Sequence, residues 1–370
     1  MSEEKVLETQ NEELEVVETA EVVVDNSFKG YQKNTQVDDI EIEKKNVLIE
    51  QIEEGNDSRL KIYYQDIEGQ PATTIQSILQ NYFKNEVKTD FTLNEVQELE
   101  IVSIGEKAIT NADLTFLNGN LMRSLKILDM QRANIYDTAS NVRHKLPVRA
   151  FYGVTKYEKL VLPQNLVEIG DFAFSGCGIE NIVTIPAEVK VFGTNWAKDS
   201  MYIGFASSVP MVQASGGLSG VDAIFVEEAY INSYSQVFSG YSSCIYPVSV
   251  MDESKEHFVR NTDNNNWEIT YYISGEEDVI GDGLTINGMI LNITSVYDNA
   301  YRHNFTNDQV RFADTVINLG GNNFIANENI KSVDLNNIRN VGSRVFSQCA
   351  NLEQVSFGDD LEVIGSEAFY

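Results

Sequence analysis

From residue 59 onward, hydrophobic positions fall in short alternating runs, and the runs recur at a fixed distance. Leu160 and Leu162 flank Val161; 23 residues later Val183 and Ile185 flank Thr184. Alternation with a period of two is the pattern of a strand with one buried face. Pro163 follows the first run and Pro186 the second, and proline ends a strand because it has no backbone donor. Gly170 recurs as Gly193, and Ala150-Phe151 as Ala173-Phe174. Trp196 then stands where Ala173 predicts, with Ala197 at the phenylalanine position. The far end keeps the interval, from Gly342 to Gly365 and from Phe346 to Phe369. A fixed period in the twenties predicts small units stacked coil on coil into a solenoid. No unit is large enough to bury its own apolar side, so each depends on its neighbours.

Within a unit the inward pair comes first, then Pro163 or Pro186. A second apolar group follows, Val167 and Ile169 before Gly170, or Val189, Val191 and Phe192 before Gly193. The glycine is expected to supply a turn with positive φ, after which the aromatic drops into the core. Upstream, Leu60 to Gln65 predicts a strand. Thr73 or Thr74 caps a helix carrying Ile75, Ile78, Leu79, Tyr82 and Phe83 on one face, which would close the open end of the stack. Asn111-Ala112-Asp113 opens a second helix, and Leu125, Leu128 and Met130 fill the inward positions of a strand. The pattern fades after Trp196 and ends with a strand at Ala223–Val226, a short helix from Ala229 to Ser235, and Ile245–Pro247.

The expected fold is a β-rich repeat solenoid with short helices and turns, in two arrays. Residues 1–58 form an acidic disordered tail, 59–252 the first array with its entry helix and terminal cap, 253–268 a polar linker, and 269–370 the second array. In the second array Val355 and Phe357 are expected to point inward, and the unit from Ile330 to Leu352 is one residue short. The chain stops at Ala368-Phe369-Tyr370 in the middle of a repeat, so it is expected to be a fragment.

Charge sharpens this picture. The 370 residues carry a net charge of -29 and a sequence pI near 4.4. Residues 1–58 hold 17 Asp plus Glu against 5 Lys and only one phenylalanine and one tyrosine, a composition that does not build a core. Such a balance repels nucleic acid and anionic lipid surfaces. No run approaches the roughly 18 apolar residues of a membrane span, so no membrane insertion is expected. The N-terminus lacks a basic start followed by an apolar stretch, so no signal peptide is visible.

Candidate chemistry is sparse. Cys177 lies three residues after Phe174 and Cys349 three after Phe346, so both hold one repeat position, that of a small buried residue. Neither a CxxC nor a His pair accompanies them, so neither disulfide nor zinc is expected. His144, His257 and His303 stand outside any catalytic pattern and are expected to be ordinary polar or loop residues. Asp263-Asn264-Asn265-Asn266 and the acidic residues near Asp278 lack the spacing of a calcium loop. No catalytic, cofactor-binding or metal-ligating residue is expected, and no cofactor. The outward positions of the repeat strands are the candidates for binding: Lys159, Val161, Thr184, Gln354 and Ser356. They would align as a stripe along one face.

The run Val167-Glu168-Ile169-Gly170-Asp171-Phe172-Ala173-Phe174-Ser175-Gly176-Cys177, repeated as Val363-Ile364-Gly365-Ser366-Glu367-Ala368-Phe369, resembles the BspA-type leucine-rich repeat. The resemblance covers roughly residues 95–250 and 270–370. It implies a secreted or surface-displayed protein that binds other macromolecules, host matrix proteins or glycans among them, and it carries over no catalytic residue. The expected function is non-enzymatic adhesion or recognition of a protein or glycan partner. An intracellular or virion-associated scaffold is the alternative, and a polysaccharide-processing enzyme with a repeat appendage is a third reading.

Overall fold

The structure, a computed structural model, describes residues 49–53, 56, 58–66, 73–85, 92–199, 201–207, 217–263, 265–275 and 277–370. The acidic tail expected at 1–58 lies mostly outside the described residues. Its last part differs from expectation: Ile49–Gln51 is a strand, paired antiparallel to Arg59–Tyr64 with Ile49 opposite Ile62. Ile49 is buried, and that apolar contact pulls the end of the acidic stretch onto the sheet.

In the first half, Arg59–Tyr64, Glu98–Ser103, Ile127–Asp129 and Lys159–Val161 run parallel as successive rungs of one sheet. Val183–Ile185, Tyr202–Phe205, Ala223–Val226 and Ile245–Pro247 form a second parallel sheet next to it. A third short sheet carries Lys145–Leu146, Glu168–Ile169 and Val191–Phe192, with Glu168 opposite Val191. In the third sheet the step from one coil to the next is the 23-residue sequence interval; it is 39, 29 and 32 residues along the first sheet and 20, 21 and 21 along the second. Parallel strands need a connection between them, and here each connection is the rest of the coil.

The recurring aromatics meet as the period requires. The rings of Phe151 and Phe174 stack at 5.6 Å with 7° between planes, and Trp196 meets Phe174 edge-on at 6.3 Å. The Phe151 N–H donates to Ala173 O and the Phe174 N–H to Trp196 O, both at 2.7 Å. Trp196 thus holds the place of Ala173. Ala197 stands at the phenylalanine position of the same coil, and the Trp196 ring packs against Phe192 and Phe205 at 5.0 and 6.5 Å. Burial of each such ring contributes about 1.5–3 kcal/mol.

Two details of the unit differ from expectation. The second inward pair is Leu166 with Ile169, and Val189 with Phe192; Val167 and Val191 are exposed. The inward spacing is three residues there, because only two residues of that segment are in extended strand before the chain turns. The glycine is also present for a different reason. Gly170 and Gly193 do not have positive φ; that conformation falls two residues later, at Phe172 and Asn195. A Cβ at Gly193 would lie 2.3 Å from Asp171 N, and one at Gly170 would lie 2.7 Å from Val148 N. Glycine permits the close backbone approach of adjacent coils.

The entry end is closed as expected by a helix, Ile75–Asn85. Thr74 caps it, its Oγ1 accepting from the Ser77 N–H at 3.1 Å, and Ile75, Ile78 and Leu79 are buried. The helix Asn111–Asn118 starts with a capping box in which Asp113 accepts from the Thr110 N–H at 3.0 Å. Asp113 is itself buried and also accepts from Tyr64 Oη at 2.9 Å and the Ile75 N–H at 3.1 Å, locking both helices to the first strands.

The polar stretch 253–268, expected as a linker, is folded. His257–Asp263 and Asn266–Tyr272 pair antiparallel as a hairpin, with Asn265 at φ 76° in the turn. Phe258, Val259 and Trp267 are buried while Arg260 to Asp263 face outward. The outward half hid the inward half in the sequence. The Asp263–Asn266 run makes the turn, Asn266 Nδ2 donating to Asp263 Oδ1 at 2.8 Å. Ala223, Phe225, Tyr246, Phe258 and Tyr271 form a cluster of their own that ties the hairpin to the end of the first half.

The second half continues from this hairpin. Asn266–Tyr272, Asn292–Val296, Asn318–Leu319, Asn340–Val341 and Val363–Ile364 are parallel rungs of one sheet, and Gln309–Val310, Ser332–Leu335 and Gln354–Phe357 of another. Tyr272, Tyr301, Phe324, Phe346 and Phe369 form a continuous ring column with centroid steps of 4.8, 5.5, 5.2 and 5.4 Å. The short unit keeps register: Ser332 pairs with Gln354 and Asn318 with Asn340. Phe357, expected inward, is 48% exposed and meets Phe369 edge-on at 5.9 Å. A small hairpin, Thr285–Ile286 with Met289–Ile290, projects from the stack across Asn287 and Gly288, at φ 50° and 72°, the turn that suits right-twisted strands.

Candidate binding face

The five outward residues do not form one continuous stripe. Lys159 and Val161 stand opposite Ile127 and Asp129. Thr184 is on the adjacent sheet, opposite Gly204. Gln354 and Ser356 lie together on the second half, opposite Ser332 and Asp334. Lys159, Gln354 and Ser356 are exposed, and Val161 and Thr184 half-buried.

Around Lys159 and Val161 the charges are spent on each other. Arg59 pairs with Glu98 at 2.6 Å, Lys61 with Glu100 at 3.8 Å, and Lys255 with Glu158 and Glu180 at 3.7 and 2.9 Å. Burial raises the Asp129 carboxyl above its ordinary range, against the lowering effect of the Gln131 N–H. Exposed pairs of this kind add little stability.

The face around Gln354 and Ser356 is different. Strand alternation sends Val310, Val333 and Val355 inward and Gln309, Ser332, Asp334, Gln354 and Ser356 outward. Arg311 follows on the same side. Rungs of one sheet are about 4.8 Å apart, so these side chains make a polar grid. An open cleft of about 600 Å³ lies over the grid. A second, of about 700 Å³, runs from it toward the projecting hairpin, and Arg311 and Asp334 line both. Ser356 Oγ donates to Asp334 Oδ1 at 3.2 Å, and the Asn336 N–H donates to the same oxygen at 3.1 Å. Arg311 makes no ion pair among the described residues. Sequence reasoning found Gln354 and Ser356 and missed Arg311 and Asp334. Their signal was present: stepping the Gln354/Ser356 pair back by 22 gives Ser332/Asp334, and by a further 23 gives Gln309/Arg311.

The histidines are placed as follows. His144 has φ 56° and a buried Nδ1 without a partner, and His303 is exposed. His257, expected as a polar or loop residue, is 3% exposed at the base of the ring column, 5.2 Å from Tyr272. Its Nε2 lies 3.2 Å from Glu277 Oε2, which also accepts from Tyr301 Oη at 2.8 Å. A cavity of about 270 Å³ opens beside them. Burial, then the Glu277 charge, pushes the Tyr301 phenol far above its ordinary range, so it stays protonated and serves as donor. The cluster holds one end of the column.

Cys177 Sγ donates to Phe174 O at 2.8 Å and Cys349 Sγ to Phe324 O at 3.0 Å. Burial pushes the Cys177 thiol up to about 12, which leaves no thiolate at neutral pH. Cys177, Cys244 and Cys349 are free thiols. Among the described residues no group of three or more His, Cys, Asp or Glu is arranged to hold a metal ion, and no helix is long and apolar enough to cross a membrane.

A family model described as BspA type leucine rich repeat region matches residues 133–203 and 285–370 in 6 copies. Among solved structures the chain is similar to a leucine rich cell surface protein from Faecalibacterium prausnitzii, at 13% identity over 82% of this chain and 88% of that one, with a TM-score of 0.24. It is similar also to a leucine-rich repeat protein from Bacteroides ovatus, at 14% identity over 74% and 59% of the two chains, with a TM-score of 0.19. A third, a leucine-rich repeat protein from Eubacterium ventriosum, shows 15% identity over 85% and 90%, with a TM-score of 0.23. No curated protein matches the chain.

Proposed function

We propose that this chain, built from BspA-type leucine-rich repeats, is a non-enzymatic binding protein: two solenoid arrays joined by the 257–272 hairpin, recognising a macromolecular partner through outward strand positions. The observation that carries this reading is the in-register grid of Gln309, Ser332, Asp334, Gln354 and Ser356 with Arg311 beside it, its guanidinium in no ion pair among the described residues. A rigid array holds these groups in place, which lowers the ordering cost of binding. Adhesion at a cell surface is the setting that the repeat family suggests.

The immobilised protein is tested against purified extracellular-matrix proteins and glycans by biolayer interferometry. At least one is expected to bind, and Gln354→Ala with Ser356→Ala to weaken it by tenfold or more. Lys159→Ala, Val161→Ala and Thr184→Ala test the first array in the same assay. Binding that survives all five substitutions removes this face as the site. Turnover of a glycan in the panel replaces the binding reading with an enzymatic one. Protease treatment of intact native cells locates the protein: resistance would favour the intracellular or virion-associated scaffold.

A further inference from the structure

We infer that the cleft between the projecting hairpin and the polar grid is a subsite for a neutral oligosaccharide, with Arg311 and Asp334 as its principal contacts. The inference rests on the grid being the binding face and names the chemistry of its ligand.

The cleft of about 700 Å³ has walls of different origin. One is the segment Val279 to Gly283 with Ile290, Leu291 and Asn292 at the foot of the projecting hairpin; the other is the outer side of two successive coils, at Arg311 to Thr315 and Asp334 to Asn337. It opens into the second cleft across Arg311 and Asp334, so an elongated ligand would find one continuous path.

The lining combines pure acceptors, a pure donor in fork geometry, and amides that do both. Asn292, Asn336 and Asn337 bring amides; Asp282, Asp314 and Asp334 bring carboxylates; Arg311 brings the guanidinium. Several are already held: Asn337 Nδ2 donates to Asp314 Oδ1 at 2.7 Å, and Asn292 Nδ2 to Asn266 Oδ1 at 2.9 Å. Asp334 uses Oδ1 for Ser356 and the Asn336 N–H. That leaves Asp334 Oδ2 and the whole Arg311 fork without a side-chain partner among the described residues. A sugar's adjacent hydroxyls each donate one hydrogen bond and accept others. An Asp acceptor beside an Arg fork, flanked by amides, matches that sequence of donors and acceptors.

The same lining argues against other ligands. A protein hot spot needs aromatic or aliphatic anchors in a desolvated centre. Here the apolar lining is buried Leu291, half-buried Val279, Phe312 and Ala313, and Ile290, 75% exposed at the rim; Phe312 is the one aromatic among them, and the cleft is open to solvent. That apolar lining is enough to lie against the C–H face of one sugar ring. A polyanion, whether nucleic acid or acidic polysaccharide, would meet three carboxylates and one cation in a chain of net charge -29.

The test is a glycan array carrying neutral and acidic glycans, followed by calorimetry on the strongest neutral hit, with polygalacturonate as the polyanion and an extended-peptide library as the alternative ligand. Expected is binding to neutral glycans, none to polygalacturonate, and at least a tenfold loss in Arg311→Ala and in Asp334→Asn. Both residues are on the surface, so unchanged circular dichroism should accompany the loss. Lys190→Ala, at an exposed position of the first half, is expected to bind as the wild type does. No neutral glycan bound, or binding indifferent to both substitutions, overturns the inference. Peptides that bind and lose affinity in Arg311→Ala, with no sugar bound, overturn the ligand class and leave the grid standing. Loss of macromolecular binding nowhere on Gln354 and Ser356 overturns the face itself.

Discussion

Individual positions in this chain are dictated by how closely neighbouring coils approach. Gly193 is glycine because its Cβ would collide with Asp171 N at 2.3 Å. Gly193→Ala is therefore expected to cost about 1–3 kcal/mol, the range for forced overpacking, as a lowered urea midpoint with unchanged slope. The buried acids of the core give a second expectation. Burial pushes the Cys177 thiol and the Tyr202 and Tyr272 phenols up to about 12. The folded state then holds protons that the unfolded chain releases between about pH 8.5 and 10. Stability contributed by the protonated groups is complete below that range and falls as pH rises toward 12. Urea midpoints measured from pH 7 to 11 should decline, and alkylation of Cys177 should require unfolding. A midpoint that is flat to pH 11 would contradict the burial.

At the scale of the coil, the aromatic is the piece that makes one unit depend on the next. Phe174 touches Phe151 below and Trp196 above, so its removal empties a space shared by three coils. Phe174→Ala is expected to cost about 3–5 kcal/mol, read by thermal or urea denaturation. The same change at Phe369, which is half-buried, stacked on Phe346 and met edge-on by Phe357, should cost clearly less. Coils were legible in the sequence because period and alternation both pointed to them. The glycine turn was misplaced by two residues because a glycine looks the same whether it supplies φ or clearance. Val167 and Val191 face outward, and Leu166 takes an inward place the pattern passed over, because the strand there is two residues long and a period-two rule overruns it.

Across the whole molecule the 257–272 hairpin decides how the two halves behave together. Phe258 meets Tyr202, Phe225 and Tyr271 at centroid distances of 5.0, 4.7 and 6.3 Å, while Trp267 from the same hairpin is part of the second core. Stacked repeats unfold cooperatively only through their interfaces. Phe258→Ala is expected to split one calorimetric transition into two, with the far-ultraviolet spectrum unchanged at room temperature. A single, merely lowered transition would show that the halves couple by another route.

The sequence alone determined the repeat, its 23-residue step, the shortened unit from Ile330 to Leu352, the capped entry helix and the outward identity of Gln354 and Ser356. These follow from local periodicity, which every residue of a coil shares with its equivalents. The tertiary structure decided the rest. It folded the supposed linker, sank His257 beside Glu277, placed Lys159 and Thr184 on separate sheets from Gln354, and set Arg311 and Asp334 in one cleft. Those facts depend on which coil lies against which, information that a pattern within a single unit does not hold; the outward register of Arg311 and Asp334 was implicit in the 22- and 23-residue steps, but the cleft they share was not.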